Sequence, residues 1–211
     1  MKRFVDQLGE PYSYYYILKE GGHVAVTCPV CMSLATIVNM RKSDEHGEKY
    51  AIEVHCTQCL YANQAEEHYR YRASGICRSC ERWYNIEINN NKQWTHKHNH
   101  VHCPYCNELN QTLLQKTKSS WHYRNDISHG HDPIFNLEYY YKDYYQGQPV
   151  WAMNLDHISY LIDYISADLR EKPSRYLHRT ASYRLPKYMK LAKNREAMVK
   201  LLTKLREKNG I

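Results

Sequence analysis

Cys28-Pro29-Val30-Cys31 is the first of four Cys-x-x-Cys pairs in this chain of 211 residues. The pairs contain all eight cysteines of the protein and group into two sets of four. Twenty-four residues separate the two pairs of the first set, and twenty-two separate those of the second. The first set is Cys28, Cys31, Cys56 and Cys59, and the second set is Cys77, Cys80, Cys103 and Cys106.

The two sets belong to an internal repeat with a constant offset of forty-seven residues. The triplet Val54-His55-Cys56 returns as Val101-His102-Cys103, and the dipeptide Asn63-Gln64 returns as Asn110-Gln111. Self-similarity at a fixed offset is typical of a duplicated structural unit. We therefore expect two copies of one small unit, each containing one complete set of cysteines.

The cysteine spacing predicts a metal site in each copy. Two residues between cysteines let a tight turn bring both sulfurs to one ion, and two such turns supply the four thiolates of a structural zinc site. Iron is the main chemical alternative. Redox-active pairs normally begin a helix in a βαβ context, and disulfides need an exported chain, so both are less favoured. We predict two Zn²⁺ ions with a structural role.

The composition gives broader expectations about the class of protein. The basic N-terminus is not followed by an apolar run, so we expect no signal peptide. No stretch approaches eighteen apolar residues, so we expect no membrane span, and a reducing cytoplasm suits free thiols. The chain has twenty-one tyrosines and two phenylalanines, which favours an amphipathic aromatic surface over a large apolar core.

The net charge of +7 is distributed unevenly along the chain. Between Lys172 and Ile211 there are twelve Lys or Arg residues and two acids, so this segment has a net charge of +10 and the rest has −3. A surface helix without a binding role usually mixes charges of both signs. We predict that the segment binds nucleic acid through Arg175, Arg179, Arg184, Lys187, Lys190, Lys193, Lys200 and Lys204.

The predicted fold class is α+β. We expect two tandem four-cysteine zinc ribbons built from short β-hairpins, then a further β-hairpin and two C-terminal amphipathic helices. In the second ribbon we expect Trp83–Ile88 to pair with Trp94–Val101 across a turn at Asn89–Lys92. The predicted regions are an N-terminal strand or lead-in (1–22), ribbon 1 (23–65), ribbon 2 (74–112), a linker (113–133), and a hairpin with a helical basic region (134–211).

Two groups of histidines suggest further sites. His96, His98, His100 and His102 alternate, so on a strand they share one face, either as an accessory metal site or as an exposed polar surface. His129, His131 and Asp132 cluster after Ser128 and are the best candidates for an enzyme. A catalytic metal site needs a further ligand and an open position, and no other residue at suitable spacing supplies one. We predict no catalytic residues and no small-molecule substrate.

The C-terminal half contains a further set of motifs. They are Trp151-Ala152-Met153-Asn154, His157, Leu161, Tyr164, Ala167-Asp168-Leu169-Arg170-Glu171, Arg184-Leu185-Pro186-Lys187 and Ala192-Lys193-Asn194-Arg195. With these residues the chain resembles, over roughly 130–205, bacterial proteins described as TFIIB-type zinc-ribbon-containing, and in places as similar to replication-restart helicases. The resemblance implies a bacterial cytoplasmic zinc protein. The chain has no GxxxxGK[ST] loop, so we do not expect helicase activity.

Two functional hypotheses follow from the sequence. The first is a non-enzymatic nucleic-acid-binding accessory protein, in which basic residues contact phosphates and tyrosines stack on unpaired bases. The second is a protein-interaction adaptor in a larger bacterial assembly, in which the ribbons are rigid aromatic platforms. The excess of acids outside the basic segment favours the second hypothesis, and the basic segment itself favours the first.

Overall fold

The computed structural model describes residues 1–44, 47–65, 69–88, 98–118, 129–173 and 179–208. The chain divides into two compact units. Unit 1 comprises Met1–Ala65 together with Asn125–Ile211, and unit 2 comprises Glu66–Arg124. Among the described residues strands outnumber helices, which confirms the predicted α+β class. None of the described helices is long and apolar enough to cross a membrane.

Twelve strands and four α-helices are present in the described part of the chain. The strands are β1 (Arg3–Val5), β2 (His23–Thr27), β3 (Leu34–Asp44), β4 (Gly47–Cys56), β5 (Ala62–Gln64), β6 (Tyr69–Ile76), β7 (Trp83–Ile88), β8 (His98–His102), β9 (Leu109–Lys118), β10 (Tyr141–Tyr145), β11 (Gln148–Ala152) and β12 (Leu169–Glu171). The helices are α1 (Tyr14–Lys19), α2 (Leu155–Ser166), α3 (Lys187–Lys190) and α4 (Arg195–Glu207).

Ribbon 1 is an antiparallel sheet in the order β2-β3-β4-β5. One cysteine turn joins β2 to β3, and the other joins β4 to β5. The two hairpins pair through their inner strands β3 and β4, with Ala35 opposite Cys56 and Ile37 opposite Val54. The β-hairpin predicted for ribbon 1 is confirmed, and its strands β3 and β4 pair as far as Asp44 opposite Gly47.

Ribbon 2 contains the same two hairpins but pairs them through their outer strands. Its order is β7-β6-β9-β8, so β7 and β8 lie on opposite edges of the sheet. The predicted pairing of Trp83–Ile88 with Trp94–Val101 is therefore wrong. The central strands β6 and β9 extend beyond the predicted ribbon 2 (74–112), since β6 begins at Tyr69 and β9 ends at Lys118 in the predicted linker. Tyr71, Ala73 and Thr112 on these strands are buried. The predicted turn at Asn89–Lys92 lies outside the described residues.

The region after ribbon 2 forms the predicted hairpin and helix. Strands β10 and β11 are joined by Gln146 and Gly147, both at positive φ, as a two-residue hairpin turn requires. The Asn154 side chain accepts a hydrogen bond from the backbone N–H of His157 (2.9 Å) and so caps α2. Helix α2 ends at Ser166, because Ala167 is extended and the chain enters β12.

The tyrosine-rich stretch 12–17 forms a helix and not the expected strand. The Ser13 hydroxyl caps α1 by accepting a hydrogen bond from the backbone N–H of Tyr16 (3.3 Å). The buried side chains Tyr14, Ile17 and Leu18 are spaced at i, i+3 and i+4, which is the pattern of one helical face. Packing of this helical face against the core therefore outweighs the β propensity of tyrosine.

Ribbon 1 and the C-terminal region share hydrogen bonds, so they form one unit and not the two regions expected from the sequence. The backbone N–H of Ala25 on β2 donates to the Met153 carbonyl (2.6 Å), and the N–H of Thr27 donates to the Glu138 carbonyl (2.8 Å). Ala25 also belongs to the core of unit 1, which α2 and α4 dominate. The core residues are Ala25, Tyr141, Val150, Ala152, Ile158, Tyr160, Leu161, Tyr164, Ile165, Met189, Met198, Leu202 and Leu205.

The N-terminus closes unit 1 through the parallel pair β1 and β12. Just after β1, the buried Asp6 carboxylate accepts hydrogen bonds from the Tyr160 hydroxyl (2.8 Å) and the Ser182 N–H (3.3 Å). Burial raises the pKa of Asp6, but the hydrogen bonds outweigh it and hold that pKa below its usual value. One carboxylate thus joins three distant segments of the chain.

The basic C-terminal segment is broken into two helices. Pro186 precedes α3, as expected for a helix start, but Leu191 adopts an extended conformation and separates α3 from α4. The Asn194 amide donates to the Tyr188 carbonyl (2.8 Å) across this break. The Tyr188 hydroxyl in turn donates to the Pro149 carbonyl on β11. The break positions α3 against the hairpin and α4 against α2.

Candidate metal centres

The structure gathers each set of four cysteines into one cluster, with all four sulfurs within 4.8 Å of one another. In ribbon 1 the Sγ atoms of Cys28 and Cys59 are 3.5 Å apart, as are those of Cys31 and Cys56. The sequence predicted this contiguous grouping from the repeat. In ribbon 2 the corresponding distances are 3.6 Å for Cys77 to Cys106 and 3.7 Å for Cys80 to Cys103.

These separations suit ligands of a common ion. Four sulfurs about 2.3 Å from a central metal lie about 3.8 Å apart in a tetrahedron, close to the separations in both clusters. A disulfide requires an S–S bond of about 2.05 Å, so none of the cysteines is disulfide-bonded. Each cluster can therefore hold one metal ion, and four thiolates form a donor set typical of structural zinc.

The backbone of each turn prepares its sulfurs for a metal. In the first turn the N–H of Cys28 donates to the Ser33 carbonyl (2.8 Å), and the N–H of Met32 returns to the Cys28 carbonyl (3.0 Å). The N–H of Val30 points at the Cys28 sulfur (3.5 Å), which favours its thiolate form. The same three bonds recur in the turn that begins at Cys77.

Each cysteine turn ends with a residue in the left-handed conformation. None of the four is glycine, so the sequence gives no conformational signal except at Asn107, since asparagine tolerates this region better than most residues. A positive φ reverses the chain within one residue and returns it to the paired strand. The four residues are Met32, Leu60, Glu81 and Asn107.

The thiols of each cluster differ in acidity. The backbone N–H of Ser33 is the main cause that lowers the pKa of Cys31 to about 6, and that of Cys80 acts likewise on Cys77. Cys59 and Cys106 also accept backbone N–H bonds, yet burial and the neighbouring thiols raise the pKa of each to about 12. Four adjacent thiols cannot all ionise without a cation, so metal binding must release protons.

Asn110 hydrogen-bonds to a sulfur of the second cysteine cluster, a contact that the cysteine spacing alone does not predict. Its buried side-chain amide donates to the Cys77 sulfur (3.5 Å) and to the Glu108 carbonyl (2.9 Å). Its side-chain oxygen accepts the N–H of Arg78 (3.0 Å). The repeat contained the signal, because Asn63 occupies the equivalent strand position, opposite Val54 as Asn110 is opposite Val101. Asn63, however, is exposed.

A scan against protein-family models, a search of curated proteins and a search of solved structures give no match to this chain. The assignment of the two metal centres therefore rests on the geometry of the cysteine clusters.

The histidine candidates are only partly covered by the described residues. His96 lies outside them. His100 and His102 are exposed on β8, and the His102 ring nitrogen Nδ1 lies 2.9 Å from the Asn107 carbonyl. Within the described ranges, the two cysteine clusters are the groups of metal-ligating side chains that come together. An accessory histidine site stays a prediction.

Asp132 forms hydrogen bonds with the backbone of its own loop. The buried carboxylate accepts backbone N–H bonds from Ile134 (2.9 Å), Phe135 (2.8 Å) and Leu137 (2.6 Å), so it organises the turn before β10. Burial raises the pKa of Asp132 despite these bonds. His131 lies beside it, with its Nδ1 atom 3.2 Å from the His129 carbonyl.

The predicted nucleic-acid-binding residues fall into three groups. Arg175 lies outside the described residues. Several others have partners: Arg179 and Arg184 contact Glu10 (3.6 and 3.1 Å), and Lys204 contacts Asp143 (3.1 Å). Half-buried Lys190 donates to the Ser182 carbonyl (3.4 Å), and burial lowers its pKa. Exposed lysines without an ion pair among the described residues are Lys187, Lys193 and Lys200.

Unit 2 has an exposed sheet face with apolar side chains. The ladder places Ile76 opposite Trp83 and aligns Leu109 and Leu113 with the same face. Their exposed fractions are 69 % for Ile76, 60 % for Trp83, 41 % for Leu109 and 60 % for Leu113. The opposite face contains the small core of this unit, including Tyr84 and Ala73.

Proposed function

We propose that this chain is a non-enzymatic, zinc-binding accessory protein that binds nucleic acid. Each cysteine cluster holds one Zn²⁺, because four thiolates are the usual donors of structural zinc and leave no open position for catalysis. Ribbon 2 has a core of only a few buried side chains, so its metal is the principal source of its stability.

The observation that supports nucleic-acid binding is the group of unpaired lysines on the C-terminal segment. Lys187, Lys193 and Lys200 are exposed in a segment where most other cations have partners. In the same segment of the chain, the Arg179 guanidinium lies 5.2 Å from the ring centre of exposed Tyr183. Unpaired cations bind phosphates and exposed tyrosines stack on bases, so this surface suits an unpaired strand.

Replacing all three lysines with glutamine tests this proposal. Each lysine that contacts a phosphate contributes about 0.7 to the slope of log affinity against log salt for single strands, and about 0.9 for duplex. We expect the triple variant to lower affinity and to flatten the slope by about two to three units. Helicity should persist, since lysine and glutamine have similar helix propensity.

A matched pair of single variants provides the control. Lys200→Gln and Lys204→Gln change the same residue type on the same helix, but Lys204 already contacts Asp143. We expect Lys200→Gln to reduce binding of a labelled single strand more than Lys204→Gln does. An unchanged salt slope in the triple variant would remove the support for nucleic-acid binding.

The exposed apolar face of unit 2 favours a second candidate, a protein-interaction adaptor. Trp83 and its apolar neighbours on that face resemble the buried centre of a protein interface, where aromatic residues are enriched. If this reading holds, Trp83→Ala abolishes association with a protein partner, while the lysine variants have no effect on it. Co-purification from cells of the source organism, with each variant as bait, separates the two candidates.

A further inference from the structure

A small cavity in unit 1 lies beside the basic segment and is not part of either metal centre. It has a volume of about 90 Å³ and is lined by aromatic and apolar side chains, among them Tyr12, Trp151, Leu185 and Met189. Arg184 lines it as well. Four elements meet here: the start of α1, β11, α2 and the turn before α3.

His157 is a buried polar residue of this cavity. Only 5 % of its surface is exposed, and its ring stacks on Tyr12 with centroids 5.0 Å apart and planes 7° from parallel. Its Nδ1 atom accepts the backbone N–H of Met153 (3.3 Å), so the proton resides on Nε2. Burial lowers the pKa of His157 to about 3, so the ring stays neutral. The Nε2–H group has no acceptor among the described residues.

The side chains that line the cavity indicate which class of ligand it can bind. An N–H donor without an acceptor disfavours a cation, and Glu10, which also lines the cavity, already contacts Arg184. An apolar cavity of about 150 Å³ accepts a whole benzene ring, so a cavity of about 90 Å³ takes one edge of a six-membered ring and leaves the rest of the ring at the opening to solvent.

We propose that this cavity binds a pyrimidine base, with a ring carbonyl accepting a hydrogen bond from His157 Nε2–H and the ring packed against Trp151. The base is an unpaired residue of the strand that the exposed lysines bind, and in that respect the inference rests on the proposed function. Arg184 at the cavity places a cation within reach of the phosphate beside the base. Free pyrimidine nucleosides share this chemistry, so the experiment must separate the two sources.

Two variants of the zinc-loaded full-length chain test the cavity. His157→Phe keeps the aromatic ring but removes the N–H donor, and His23→Phe, at an exposed histidine of β2, is its control. Ala181→Leu fills the cavity from its wall without removing any donor. Folding of each variant is checked by metal content and thermal unfolding, and Ala181→Leu keeps the test valid if His157→Phe is unstable.

The probes are thymidine, oligo(dT) and an oligonucleotide of equal length with abasic sites. We expect thymidine to quench tryptophan fluorescence and to shift the His157 Nε2–H resonance. His157→Phe should weaken thymidine binding on the order of tenfold, Ala181→Leu should abolish it, and His23→Phe should leave it unchanged. Oligo(dT) should bind more tightly than the abasic strand, and both cavity variants should remove this difference.

The outcomes separate the cavity from the lysine surface. If both oligonucleotides bind equally, with strong salt dependence, and thymidine does not bind, the cavity proposal is overturned and the proposed function stands. If thymidine binds in the cavity but no oligonucleotide binds, the site is one for free pyrimidines and the proposed function fails. If thymidine binding is insensitive to both variants, the cavity is not the site.

Discussion

Asn110 and Asn63 occupy equivalent positions of the repeat, but only Asn110 reaches a metal-ligating sulfur. Groups that hydrogen-bond to metal ligands commonly change metal affinity by 10- to 100-fold. We expect Asn110→Ala to weaken metal binding in ribbon 2 within this range, because Cys77 loses a donor to its thiolate. Asn63→Ala should have little effect, since Asn63 is exposed. Competition with a chromophoric chelator measures both, and equal loss in the two variants would contradict this role.

Asp6 allows a prediction about the pH dependence of stability. Its pKa in the folded chain lies below 3.8, so it contributes stability above the unfolded-state pKa, and that stability is lost as the pH falls through the lower folded-state pKa. Asp6→Asn should lower stability by about 1–3 kcal/mol at neutral pH, because an amide cannot accept all of the hydrogen bonds. It should also flatten the change of Tm with pH below about 4. A parallel curve for both proteins would exclude Asp6 as the titrating group.

At the scale of single elements, removal of one metal ligand should unfold only strands of the ribbon that contains it. Cys59→Ser removes one ligand of ribbon 1, so β4 and β5 should lose protection from hydrogen exchange. Strand β2 should retain protection, because its backbone bonds to Met153 and Glu138 do not depend on the metal. Unit 2 should be unchanged. The reciprocal variant Cys106→Ser should affect ribbon 2 alone, and loss of protection in both units after either change would mean that they unfold together.

Some of the structural elements have local signals in the sequence, and others do not. The cysteine pairs, the hairpin at Gln146–Gly147 and the cap at Asn154 were predictable, because their signals are local in the chain. The strand order of ribbon 2 was not, because it depends on which of four strands meet, and residue spacing is compatible with either arrangement. Helix α1 was missed because burial of one face, and not tyrosine propensity, decides its conformation.

Across the whole molecule, the acidic residues that lie outside the basic segment are not spread evenly over the rest of the chain. Residues 66–124 contain nine Lys or Arg and five Asp or Glu, whereas residues 125–171 contain two and eight. The acidic stretch therefore shares unit 1 with the basic segment, and Asp143 and Asp168 pair with Lys204 and Arg195. This pairing explains why only a subset of the predicted cations is available for a ligand.

The whole molecule should contain two metal ions. Elemental analysis of freshly purified protein should give two equivalents of zinc per chain. Because the two clusters belong to separate units, stepwise removal by a chelator should give two transitions in circular dichroism. Alanine or serine at one cysteine of each set should remove one equivalent each. Fewer than two equivalents in the unmodified chain would contradict the proposed cofactor.

The outer-strand pairing of ribbon 2 also determines how this unit is connected to the rest of the chain. Its first and last described strands, β6 and β9, are neighbours in the sheet, with Tyr69 opposite Lys118. In the sequence, unit 2 lies between the two segments of unit 1, as an inserted domain does. We expect that a short Gly-Ser linker can replace residues 66–124, and that the remaining chain will fold and bind one zinc ion.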